Sequence, residues 1–326
     1  MMMVLLLIFL LLLLLCNNLN GQLFEIHEDE KKETSEEMLS SEDKILNKIK
    51  GEGMNDYDDN GYTPLMQAAL MGDVKIIDKY LKAGADLKLR SKRGGNTSLM
   101  LAVERNYYLT TDALIKGGSS VSERNDAGLT PLLIAVSRSY VEVTELLLAA
   151  GASANERLRT GLTVLMMACQ AGAYELVKLL VSKGADVNAI SASEDTAIMY
   201  AAIVGNDDIV NHLLEVGADI NAANSRMQTA LMLAAARGHE KTVITLLEKG
   251  VTIEAQDYAL MTAFDHAQEK GESGTMKILL AAGADTKYGV DMDQETKEKR
   301  EISLAKIREE KHRKEIEAIN SIEFEF

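Results

Sequence analysis

The chain has 326 residues, 47% of them hydrophobic, with no Trp, two Pro, two Cys and a net charge of −15. The apolar content is enough for a sizeable core, and the acidic balance offers nucleic acid no long-range attraction. Cys16 and Cys169, far apart in the sequence, supply neither a disulfide framework nor a Cys-based metal cluster. In chain order, residues 1–16 (MMMVLLLIFLLLLLLC) come first and carry no charged side chain. The run is short for a membrane span, which takes roughly 20 residues, and it fits the apolar core of a signal peptide ending near residue 21. It predicts export, to the exterior or a periplasm; anchorage through an uncleaved leader is the alternative.

Cys16, directly after the apolar run, resembles the acceptor cysteine of a bacterial lipoprotein, although Leu15 stands where that family prefers a small residue. Lipidation at Cys16 or retention of the leader is therefore the only route predicted to a membrane. Residues 22–40 are polar and acidic and cannot bury enough apolar area to fold alone. They are read as a disordered linker, and 41–60 as a degenerate capping half-repeat with a helix over 41–50.

From residue 61 the chain repeats itself. Thr63, Thr97, Thr130, Thr163, Thr196, Thr229 and Thr262 are spaced by 34 and then by 33 residues. Five residues after each comes Ala, from Ala68 to Ala267, and twenty-one after each comes Gly, from Gly84 to Gly283. Each marker has a physical reason. A Thr hydroxyl can accept from an orphan N–H at a helix start, and Pro64 and Pro131 fall at the first helical position, where a missing N–H is harmless. The Ala keeps one helix thin enough for close stacking. The Gly ends a second helix in a left-handed conformation.

These units resemble ankyrin repeats, whose T-P-L-H-x-A motif here reads TPLMQA, TSLMLA, TPLLIA, TVLMMA, TAIMYA, TALMLA and TAFDHA. The resemblance implies an all-α ankyrin-repeat solenoid of stacked helix-turn-helix pairs over 61–286, with repeats starting near 61, 95, 128, 161, 194, 227 and 260. The motif His is missing from all seven units, and Met or Leu replaces it in six. The turn glycine present at Gly61, Gly95, Gly128 and Gly161 becomes Glu194, Met227 and Leu260, which predicts looser or differently shaped turns in the last three units. Asp265 and His266 break the apolar register of the seventh unit, as a terminal cap with one wet face would.

No cofactor motif appears, and the five histidines have no metal-ligand spacing. Cys169 occupies a small-residue position, His239 a turn between helices, and the Met series shares the repeat period, so all three are read as structural. The tail, 287–326, alternates charges with acid–base pairs four apart, which predicts a charged helix, solvated or in a short coiled-coil contact.

The resemblance implies a non-catalytic scaffold that binds a protein through its concave face. A lipid-anchored envelope protein and a regulator of a partner enzyme are the alternatives. It also implies contact positions, which fall here on Tyr62, Leu70, Met71, Arg93, Arg105, Leu129, Arg138, Arg159, Leu162, Ile203, Val204, Arg226 and Arg237. Arginines mixed with apolar side chains suit an acidic partner segment with apolar anchors. Asp59, Glu104, Asp126, Asp195 and Glu269 share that face and nearly balance it.

Overall fold

The structure, a computed structural model, describes residues 53–285. The leader with Cys16, the linker, the predicted helix at 41–50 and the charged tail lie outside the described residues. Within them fourteen helices form seven pairs and no strand occurs. Inner helices are α1 (Pro64–Met71), α3 (Ser98–Glu104), α5 (Pro131–Ser137), α7 (Val164–Gln170), α9 (Ala197–Val204), α11 (Ala230–Ala235) and α13 (Ala263–Lys270). Outer helices are α2 (Val74–Ala83), α4 (Tyr108–Lys116), α6 (Val141–Ala149), α8 (Tyr174–Ser182), α10 (Asp207–Glu215), α12 (Glu240–Glu248) and α14 (Ser273–Ala281). Each inner helix packs on its own outer helix and on the inner helix of the next pair, and each outer helix packs on the next outer helix. This is an all-α solenoid of stacked helix pairs.

The periodic residues do what their chemistry predicts. The Thr side chain accepts from the backbone N–H three residues on in six inner helices. Thr196 is the exception: its hydroxyl is buried without a partner. Ala68, Ala102, Ala135, Ala168, Ala201, Ala234 and Ala267 are fully buried between neighbouring helices. On the outer helices Leu147, Leu180, Leu213, Leu246 and Leu279 are fully buried as well. The Met and Leu that replace the motif His (Met66, Met100, Leu133, Met166, Met199, Met232) are core residues.

Two expectations need correction. The last three turns are not looser. Glu194, Met227 and Leu260 adopt φ of 61, 60 and 58°, the left-handed conformation of Gly61, Gly95, Gly128 and Gly161. Bonds on either side dictate that conformation and override the local preference of an L side chain. The seventh unit does not turn a wet face at Asp265 and His266 either: both are buried, at 7% and 8% exposure. The Asp265 carboxylate accepts from the Thr262 N–H at 2.8 Å and from its hydroxyl at 2.9 Å, closing a capping box. His266 Nε2 lies 3.0 Å from Asp257 Oδ2. The Thr262 cap for Asp265 Oδ2, and Asp257 on the preceding finger for His266, lower the cost of burying these two residues.

Candidate functional site

Between one outer helix and the next inner helix the chain runs out into a finger, closed near its tip by a short side chain. Asp58, Asn125, Asn224 and Asp257 each accept from the backbone N–H four residues on, at 2.7 to 3.0 Å. Ser191 does the same at 3.2 Å. In the second unit Ser91 accepts from Asn96 five residues on at 3.0 Å, so the extra residue of that unit lengthens the finger, with Gly94 and Gly95 both left-handed. These are Asx- and Ser-type turns. The series, five residues before the Thr and six before it in the longer second finger, has the repeat phase and could have been read from the sequence. Leu158 breaks it in the fourth unit, whose finger keeps only the backbone bond that the others also make, from the Leu158 N–H to the Leu162 carbonyl at 2.9 Å.

The fingers are tied to one another. Backbone bonds run from Lys92 N to Gly61 O, Asp126 N to Gly94 O, Ala192 N to Thr160 O, Ser225 N to Ser193 O and Tyr258 N to Arg226 O, at 2.9 to 3.1 Å. Arg90 braces the long finger, donating to Gly95 O and pairing with Asp126, both at 2.9 Å. The Tyr62 N–H, first among several donors, holds the Asp58 carboxyl below its ordinary value.

On this frame the predicted contact residues fall in two rows. Tyr62, Arg93, Leu129, Arg159, Leu162 and Arg226 belong to the fingers, while Leu70, Met71, Arg105, Arg138, Ile203, Val204 and Arg237 end the inner helices or directly follow them. None is buried. Tyr62, Leu70, Leu129 and Leu162 are half-buried with one side on the core; Met71 and Val204 are 49% and 39% exposed. The arginines form no continuous patch, because those on fingers stand on the second, fourth and sixth units only. What the spacing could not show is where the acids go. Glu104 pairs with Arg138 of the next unit at 3.4 Å, Asp126 with Arg90, and Asp195 accepts from Asn224 at 2.8 Å. Arg93, Arg105 and Arg159 have no such ion pair among the described residues. With Glu104, Asp126 and Asp195 committed, the face presents three guanidinium groups without ion pairs, together with Asp59 and exposed apolar side chains.

The sequence matches the family model for ankyrin repeats, three copies to a unit, over residues 38–125, 109–191, 132–224 and 198–289. The chain belongs to the ankyrin-repeat family. Ankyrin repeats are in general protein–protein interaction modules and typically non-catalytic. No curated protein matches this one. Among the described residues His239 and Cys169 behave as parts of an ankyrin scaffold. His239 Nε2 sits 2.9 Å from the Ile203 carbonyl of the preceding unit, and Cys169 is fully enclosed, its thiol pushed far up by burial. No described helix is long and apolar enough to cross a membrane.

Proposed function

We propose that this ankyrin array is a non-catalytic scaffold that works outside the cytoplasm and captures a protein partner on the face formed by its finger tips and inner-helix ends. The reading rests on one observation above the others. Glu104, Asp126 and Asp195 on that face are drawn into bonds between units, whereas Arg93, Arg105 and Arg159 are exposed, without an ion pair among the described residues, on the face that also carries Met71, Leu129, Leu162 and Val204. Guanidinium groups bind carboxylates through paired donors, and apolar neighbours supply the anchors of a hot spot. The partner is accordingly an acidic segment with apolar anchors. Seven ankyrin repeats over 61–286, capped by 41–60, supply the surface, and the apolar leader carries the chain out of the cytoplasm.

Capture with the full chain as bait, followed by partner identification and mapping by cross-linking, tests the reading. Cross-links from the partner to fingers and inner-helix ends are expected; cross-links confined to the outer helices contradict it. Mass spectrometry of the mature N-terminus tests export. A start near Gln22 or a lipidated Cys16 supports it, and an unprocessed cytoplasmic protein refutes it.

A further inference from the structure

The outer helix of the second pair exposes an apolar side chain where the other six units carry a charged residue or glycine. Position twelve after the repeat Thr faces solvent and carries Lys75, Glu142, Glu175, Asp208, Lys241 and Gly274 in the other units; in the second it is Leu109, 67% exposed. Two residues earlier Tyr107, like Tyr140, Ala173, His239 and Glu272 at the same position, makes no capping bond. Its ring instead lies over Gly72, where a Cβ would stand 2.9 Å away. Tyr108 between them is 45% exposed. Thr110 and Thr111 are buried with unpartnered hydroxyls, as are Thr144, Thr242 and Thr275 at the same inward positions of other units. Helix α4 thus buries Leu114 in the core while exposing Tyr108 and Leu109 at its start.

This apolar edge borders an open groove of about 700 Å³ between α4 and α6, walled by Tyr108 and Leu146 with Glu142 and Glu145 at its side. Both carboxylates are exposed, and neither has an ion pair or side-chain hydrogen bond among the described residues. They stand one helical turn apart beside an aromatic face. That arrangement suits a cationic head whose aliphatic stem lies along the ring.

We propose that the groove between α4 and α6 is a second protein-docking site, which takes a segment carrying an arginine or lysine next to an apolar side chain. The cation sits between Glu142 and Glu145 against Tyr108, and the apolar neighbour rests on the exposed Leu109 next to it. Charge complementarity selects this occupant, the opposite of the acidic segment proposed for the fingers. The site lies on outer helices and stands or falls independently of the finger face.

Peptide-display selection on the immobilised full chain tests it, run in parallel on the wild type, on Glu142→Gln/Glu145→Gln and on Leu109→Lys. Lys already stands at the equivalent positions 75 and 241, so Leu109→Lys should fold, and thermal melts check both variants. The wild type should enrich peptides with Arg or Lys beside Leu, Phe or Trp. A resynthesised peptide of that kind should bind each variant about tenfold or more weakly, and bind Arg138→Glu/Arg237→Glu as it binds the wild type. Enrichment of acidic peptides, no enrichment, or affinities unmoved in both groove variants overturns the proposal. Sedimentation adds one more contrary outcome: self-association lost in Leu109→Lys assigns the groove to a second copy of the chain.

Discussion

Met227 is 44% exposed at a finger tip and holds φ of 60°, a conformation that glycine adopts freely and L side chains resist. Its side chain contributes little burial to offset the strain, so Met227→Gly should raise unfolding stability by about 0.5–1 kcal/mol, readable in denaturant melts. Gly161 is the reverse case, since a Cβ there would approach Ala192 N to 2.7 Å; Gly161→Ala should destabilise by about 1–2 kcal/mol. Two carboxyls make opposite contributions with pH. Glu156 is half-buried, and burial raises its proton affinity above the ordinary 4.5, against the bond from Thr130 and the charge of Arg124. A raised carboxyl destabilises the fold once it ionises, so Glu156→Gln should raise the melting temperature at pH 7, and the gain should vanish below about pH 4.5. For Asp257 burial acts upward too, but bonds from His266, Met261 and Ala259 outweigh it and hold the group below its ordinary 3.8. Its contribution is present above that value and lost as pH falls through the lowered one, so Asp257→Asn should lower the melting temperature at pH 7 and converge on wild type in strong acid.

Helix caps test the elements. Thr97 accepts from Met100 N, whereas the buried Thr196 hydroxyl bonds to nothing. Thr97→Val should cost about 1 kcal/mol, and Thr196→Val, of the same shape, about zero or slightly less than zero. Equal losses in denaturant melts would show that the hydroxyl does not act as a cap. At this scale the sequence was highly legible. Thr, Ala and Gly recur at fixed offsets because each pair must start, stack and end in the same way, so one unit's chemistry is written seven times. What stayed hidden depends on partners in other parts of the chain. Asp265 and His266 look like surface residues until Asp257, on the preceding finger, is seen beside them. Glu194, Met227 and Leu260 look like broken turns until the finger-closing bonds of Ser191, Asn224 and Asp257 impose the conformation.

For the whole molecule, stability should be of nearest-neighbour character, and the binding surface is a property of the stack. Thirteen contact positions could be assigned from the repeat register, and none proved buried. The commitment of Glu104 to Arg138 was invisible, because the two are 34 residues apart and meet only once units stack. The same holds for the groove beside Tyr108, which needs α4 and α6 side by side. Exposed ion pairs of this kind are worth little in stability, about 0–1 kcal/mol, so charges on the face can be reversed without unfolding the array. The central claim is that fingers and inner-helix ends form the surface that takes the captured partner. It is tested most directly by comparing partner affinity in Arg138→Glu/Arg237→Glu with that in Lys178→Glu/Lys241→Glu, which reverses the same number of charges on outer helices. The account predicts a loss of about tenfold or more in the first variant and little change in the second. Equal weakening in both, or weakening in neither, would contradict it.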